Sequence, residues 1–507
     1  MGKISALFLA IVLFCAAPLQ AADVCVDDIS DGASDSSDCD TDCADPSPDC
    51  SLRDAIAKAV DGDRIFFDSS VHGFSTGLTE GNYLITTDIS IEGPGSSGFT
   101  ISGLDVSQVF NLQATVSISG LTINNGLSTG VGGCIFVSNA GDVTLDDVVV
   151  ANCEIDTAGS AGGAGIFNDG SLTITNSTIR DNKLKLGATG GIVGGGIQNL
   201  SALTIRNSLI QGNAAGLGGG IFSGATTSTL ILDKVSFISN VALNESGGGG
   251  LAVSNNGSTA TLTNVTLSGN LAADGDGIGG GITVSNQGAA TLTHCTLAEN
   301  TAFLGGNIGA FNSGTITLIN TISANSSSGG DCDTSFGGSV TDGGGNLMED
   351  GGCGFDVGGD PNLAGLEGIN GVLMHALLSP SPAIDGGDSG ECAAEDQRGV
   401  LRPVGLGCDI GAFEFEPPPS PTPSPTPSPT PIASPSPSPE ATATPQPSSP
   451  PDDDQEEAEG GGCSLQTSKT GRPAASGLAG LAAATLAGAG ILRIFSRGKT
   501  PRRAVTP

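Results

Sequence analysis

Tryptophan is absent from this 507-residue chain, tyrosine occurs once, at Tyr83, and histidine only three times. Sugar-binding surfaces usually offer flat rings for stacking. The 18 phenylalanines are therefore expected to serve packing, with Phe167, Phe222 and Phe237 at core-facing strand positions. Positive charge is also scarce: 18 Lys and Arg stand against 53 Asp and Glu. Seven of the 18 lie beyond residue 468, where no acid remains, and Lys3 lies in the leader described below; the region between carries a net charge of −43. This balance argues against a nucleic-acid partner and for a solvated acidic surface that keeps a glycine-rich chain soluble. Asp35, Asp38, Asp40, Asp42, Asp45 and Asp49 raise calcium as the alternative use of that charge, without EF-hand spacing. No other cofactor and no metal ligand set is expected. Helical apolar spacing is missing from the middle of the chain as well, and 80 glycines make helices there unfavourable.

What the chain has instead is a period. Glycine clusters lead into Ile135, Ile166, Ile197, Ile221, Leu251, Ile282 and Ile308, at intervals of 31, 31, 24, 30, 31 and 26 residues. Each unit carries short β-branched segments that alternate apolar and polar, such as Leu172-Thr173-Ile174, separated by Gly, Asn and Asp. A unit of this size buries its apolar face only by stacking on its neighbours, the mark of a solenoid. The expectation is an all-β fold, a right-handed parallel β-helix of roughly nine or ten coils about 4.8 Å apart. Two further columns follow the period. Asn152, Asn182, Asn213, Asn240, Asn270, Asn300 and Asn325 come after the third strand and are expected to bond along the stack. Asn176, Asn207, Asp233, Asn264, His294 and Asn320 precede it, so His294 reads as a structural member of its column.

Lys3, the apolar run 4–17 and Leu19-Gln20-Ala21 form an export leader cut after Ala21. Bulky Phe14 disfavours lipidation at Cys15. Export permits disulfides. Cys25, Cys39, Cys43 and Cys50 form one cluster of open pairing, whose spacing lacks the C-x-x-C element of a zinc site. Cys332 with Cys353 and Cys392 with Cys408 bracket polar loops as local bridges, and Cys134 and Cys153 join adjacent segments. With Cys15 and Cys463 set aside, Cys295 is left as the unpaired thiol.

Cys50-Ser51-Leu52-Arg53-Asp54-Ala55-Ile56 resembles the capping helix that opens a broad group of bacterial surface β-helix proteins. In physical terms Ser51 caps a helix whose Leu52, Ile56 and Val60 cover the first coil. Ser381-Pro382-Ala383-Ile384-Asp385-Gly386-Gly387, Asp396-Gln397-Arg398-Gly399, Arg402-Pro403 and Cys408-Asp409-Ile410-Gly411-Ala412-Phe413-Glu414 resemble the defining region of choice-of-anchor Q domain proteins. The resemblance spans about 50–416 and implies a surface ectodomain joined to an exchangeable anchor. The residues by themselves read as a terminal cap in which Arg398 and Arg402 pair with Asp385, Asp396 or Asp409. The glycine-rich repeats also resemble those of polymorphic outer membrane proteins, which are adhesin-like.

The expected organisation is a signal peptide (1–21), a Cys-rich segment and cap (22–68), the β-helix (69–345), the C-terminal cap (346–416), a Pro/Ser/Thr-rich then acidic linker (417–459) and a tail (460–507). The tail resembles a tripartite sorting signal: Gly461, Gly462 and Cys463, a transmembrane segment 474–492 and a basic end. Arg180, Lys183 and Lys185 share one loop as a small positive spot, with Asp181 beside them and Asp274-Gly275-Asp276 on a later turn. Such a spot leaves a polysaccharide-active enzyme, a lyase or glycoside hydrolase, as the alternative. No catalytic residue is assigned, and the leading expectation is a non-catalytic adhesion or interaction module at the bacterial surface. Its partner would be a host, cell or matrix surface or a glycan, with membrane attachment through the C-terminal segment. Processing at Gly461 to Cys463 predicts a mature chain that ends there in mass spectrometry; an intact Arg503 in the mature protein would rule it out.

Overall fold

A computed structural model describes residues 21–32, 39, 43, 50–156, 162–185, 193–244, 247–369 and 371–418. The leader, the aspartate run between Asp35 and Asp49, most of the proline-rich spacer and the sorting tail lie outside the described residues, as do Gly461, Gly462 and Cys463. Among the described residues no helix is long and apolar enough to cross a membrane.

Strands of successive coils pair in parallel and in register. A ten-stranded sheet runs from Tyr83–Ile85 to Cys332–Asp333, a six-stranded one from Leu127–Ser128 to Leu271–Ala272, and a nineteen-stranded one carries the two remaining ranks of each coil. The inward register stacks like on like: Ile118, Leu145, Ile174, Ile205, Leu232, Leu262, Leu292 and Leu318 form one buried column. Each neighbour covers the apolar edge of the last, so the core is as long as the stack. The bend between the two ranks needs a left-handed residue. Asp147, Asn176, Asn207, Lys234, Asn264, His294 and Asn320 take φ between 47° and 57° there. Asp233 is therefore not the member of this column that its sequence position suggests; it ends the preceding strand, and Lys234 takes the corner.

The asparagine ladder is built from Asn182, Asn213, Asn240, Asn270 and Asn300, all fully buried. Each of the first four donates from Nδ2 to Oδ1 of the next at 2.9–3.0 Å. The second Nδ2 proton of each of the five goes to a carbonyl one coil back: Val150, Ile179, Ile210, Phe237 and Leu267. Each Oδ1 also accepts the backbone N–H of the residue beneath it. Every donor and acceptor of these amides is thus used inside the stack. Asn152 and Asn325 do not belong to it. They sit one residue earlier, exposed, with φ of 55° and 53°, in the corner column filled elsewhere by Asp181, Gly212, Ser239, Gly269 and Glu299. Asparagine suits both adjacent roles, the left-handed corner and the inward amide, which is why the two columns blur in sequence.

Opposite the ladder stands the glycine that precedes the inward aliphatic residue. A Cβ on Gly220 would lie 2.5 Å from the Gly250 carbonyl oxygen and 3.2 Å from Asn240 Cγ, and Gly196, Gly250 and Gly281 are hemmed in alike. In the coil of Cys134 the same two positions are cysteines, and the Cys134–Cys153 disulfide occupies the space of a Gly–Asn pair. At the far end Asn307 takes the glycine position, accepts from Asn300 at 2.8 Å and donates to Asp331 at 3.0 Å, ending the ladder on a carboxyl.

At the N-terminal end, strand Asp23–Val26 pairs with Arg64–Phe67, and helix Leu52–Lys58 covers the core with Leu52 and Ala55. Ser51 Oγ caps it by accepting from Asp54 N at 3.2 Å. Val60 does not help; it is 38% exposed, because the helix ends at Lys58 and Ala59 takes the inward place. Arg53 reaches Asp31 at 2.7 Å and lies 4.7 Å from the centre of the Tyr83 ring.

The region 346–416 divides in two. A loop closed by the Cys332–Cys353 bridge puts Phe355 against the last coils. The remainder does not lie over the end. It runs back along the outer face of the third rank: Leu373 exchanges two hydrogen bonds with Ser236, His375 Nε2 meets Ser268 Oγ at 2.9 Å, Gln397 accepts from Thr266, and Thr296 Oγ1 accepts from Ala412 N. Strands Thr266–Ser268, Thr296–Ala298 and Ile322–Ala324 are consequently buried on both faces.

Because Asn240→Ala removes a fully paired buried amide and orphans groups on both neighbouring coils, it should destabilise the fold by about 3 kcal/mol, read as a lower denaturation midpoint in guanidinium.

Candidate functional site

The basic loop singled out in the sequence is not a positive spot. Arg180 binds Asp181 at 2.8 Å, Lys183 lies 3.8 Å from Glu154, and Lys185 binds Asp156 at 3.1 Å. Parallel pairing brings Glu154 opposite Lys183, so each charge meets an acid from its own coil or the adjacent one. Lys183 and Asp181 point to solvent about half exposed and share no carboxylate cluster with Asp274 or Asp276. Among the described residues no three His, Cys, Asp or Glu gather closely enough to hold a metal ion.

The cysteines form Cys25–Cys43, Cys39–Cys50, Cys134–Cys153, Cys332–Cys353 and Cys392–Cys408. Cys295 is a free, buried thiol whose pKa burial pushes up to about 12, so it is not a nucleophile at neutral pH.

The charges of the C-terminal segment form a knot. Arg402 pairs with Glu414 at 2.8 Å, not with an aspartate, and both side chains are fully buried. Arg402 also donates to the carbonyls of Asp409 and Gly411, while Glu414 accepts from the N–H of Val404 and Asp409. Arg398 binds Asp396 at 2.7 Å and stacks 3.7 Å from the Phe413 ring centre. Asp409 accepts from the N–H groups of Asp385 and Phe415, and burial pushes its pKa up to about 6. These groups spend their hydrogen bonds on backbone, which holds an irregular segment in one conformation. His294 lies under the knot, fully buried, its Nε2 3.1 Å from Asn320 Nδ2. Burial, with the Arg402 charge adding to it, pushes its pKa down to about 4, so the ring is neutral at physiological pH.

The strongest binding geometry involves residues that the sequence assigned to packing. Phe167 and Phe222 alternate with inward Ile166, Asn168, Ile221 and Ser223, so both point away from the inner column yet stay buried, at 9% and 8% exposure, and Phe167 rests on Phe136 with ring centres 5.7 Å apart; Phe237 alone of the three enters the inner core. Three other phenylalanines, Phe303, Phe311 and Phe336, line a cleft of about 460 Å³ with Asp276, Ile278, Leu304 and Asn312. Phe311 is 8% exposed, whereas Phe303 and Phe336 each leave 57% exposed. The loops that carry them are tied coil to coil: Phe303 N and Leu304 N donate to Gly277 O, and Asn312 N donates to Phe336 O at 2.9 Å. A signal was present in the sequence. Phe303 and Phe336 sit in glycine-flanked turns outside the strand alternation, where no core position is available.

Residues 95–292 match the family model described as a right handed beta helix region. The chain is a right-handed parallel β-helix, the hand that parallel crossovers almost always take. No curated protein matches it. Among solved structures it is similar to the crystal structure of pectate lyase Pel9A, at 14% identity, a TM-score of 0.46, and coverage of 78% of this chain and 98% of that one.

The depressed pKa of His294 means that the unfolded chain takes up a proton the folded one refuses between pH 6.5 and about 4, so stability is present above that window and lost as pH falls through it. The loss attributable to His294 is about 3 kcal/mol by pH 4. In His294→Asn, the residue its column uses elsewhere, thermal unfolding should depend less on pH across that window.

Proposed function

We propose that this protein is an exported binding module that takes a glycan or a component of a host, cell or matrix surface in the phenylalanine cleft, with no bond made or broken. The observation that carries this reading is the pair of exposed rings, Phe303 and Phe336, beside buried Phe311 and the polar groups of Asp276 and Asn312. Rings left in water at a concave site gain by covering the apolar face of a sugar or an aliphatic side chain, while the carboxylate and amide fix its orientation. Five disulfides support an exported, oxidised setting. Under this reading the proline-rich spacer holds the β-helix away from the envelope, and the C-terminal segment supplies membrane attachment or processing at Gly461, Gly462 and Cys463. A calcium role for the N-terminal aspartates remains a separate proposal.

A glycan and matrix-protein array probed with the purified chain tests it. The double variant Phe303→Ala with Phe336→Ala should weaken the captured interaction roughly tenfold to a hundredfold, as loss of aromatic anchors does. Asp181→Asn with Lys183→Ala should leave it unchanged. Release of soluble sugar fragments from a polysaccharide, abolished by the Asp181 and Lys183 changes, would replace this reading with the polysaccharide-active enzyme.

A further inference from the structure

We infer that the outward face of the second strand rank is an ice-binding surface, whose ligand is the ordered water of an ice crystal. This face is distinct from the phenylalanine cleft and does not rest on the function proposed for it.

The register of the coils stacks Thr173, Thr204, Thr261, Thr291, Thr317 and Thr341 into one outward column, broken only by Ile231. A second column lies two residues away on the same strands, through Ser171, Thr229, Thr259, Thr315 and Ser339, with Ala202 and Ala289 filling the remaining places. The inward residues between them are buried, and the columns themselves are exposed or half-exposed. Parallel pairing sets the spacing along the stack at about 4.8 Å, and the pleat sets the spacing across it at about 6.6 Å. The result is a two-dimensional grid in which most nodes present a hydroxyl and many a methyl group beside it. Threonine is stiff at χ1, so the hydroxyls repeat at fixed positions and little side-chain freedom remains to be lost on docking.

Charge complementarity selects the partner. The chain has 53 acidic residues, yet neither column carries a charge over these seven coils. Charge returns in the second column one coil further, at Asp142 beside Ser171, and Arg206 and Asp233 stand in a third column at the edge, where the two neighbour each other across the pairing. An uncharged face on a strongly acidic rod is matched to an uncharged ligand. A sugar polymer would be read by rings, amides and carboxylates, and both columns lack all three. A periodic array of hydroxyls and methyls suits a ligand that is itself periodic in two dimensions, hydrogen-bonds at every node and has apolar-tolerant gaps between nodes. Ice has those properties, and dissolved water or a single small solute does not.

The experiment uses the purified full chain in a nanolitre osmometer and in ice-affinity uptake, with crystalline cellulose and chitin powders as parallel arms. The wild-type chain should separate the freezing and melting points and partition into a growing ice front. Thr261→Lys with Thr291→Lys places two long side chains above the plane and should reduce both readouts roughly tenfold, because neighbouring nodes then cannot engage together. Val106→Lys, at an exposed site outside the two columns, should keep both. Circular dichroism melting of each variant separates loss of the face from loss of the fold. Failure of the folded wild-type chain to affect ice overturns the inference. So does equal activity in the Thr261/Thr291 variant. Retention on cellulose or chitin that the same variant abolishes, with no effect on ice, assigns the face to a polysaccharide instead.

Discussion

Close approach of one coil to the next at the glycine and asparagine corner is the constraint on which this molecule depends. Gly220 has no room for a Cβ because the Gly250 carbonyl and the Asn240 amide occupy it. The buried amides then replace water for the backbone groups that a tight inward bend strands. Without the glycine the coils could not approach, and without the asparagine they would approach at the cost of unpaired polar groups. Cys134–Cys153 at one end and Asn307–Asp331 at the other show the same space solved with other chemistry.

That regularity has a consequence for function. A stack in which every coil repeats its neighbour also repeats whatever it shows to solvent, so the outer faces become arrays. One array is covered by the protein's own C-terminal segment, which explains why Thr266, Ser268, Thr296 and Ala298 are small and buried. Another stays open and is rich in Thr and Ser. Individual sites arise where the pattern is interrupted, as in the turns that carry Phe303 and Phe336. The ion pairs follow the same logic. Parallel register places Glu154 against Lys183, and what looks like a basic loop along the chain is neutralised across coils.

Much of the architecture was legible in the chain: the glycine period, the apolar columns, the structural reading of His294, the helix capped by Ser51, and Cys295 as the thiol without a partner. Less of the candidate site was. Phe303 and Phe311 flank one strand, Ile308–Ala310, whereas Phe336 comes from the following coil, and only coil-on-coil stacking brings it to the same cleft. Arg402 was expected to meet an aspartate and meets Glu414, because the segment between them folds back on itself.

What the sequence determined by itself is the period and the alternation, since these depend on residue size, polarity and spacing along one strand. The tertiary structure decided everything that turns on a shift of one residue or on a neighbour distant in sequence. Asn152 and Asn325 fell into the corner column, Lys234 displaced Asp233, and Phe167 and Phe222 pointed away from the inner column. Side chains on a strand alternate faces with a period of two, so one step of register converts inside to outside, and composition carries no record of which step is taken.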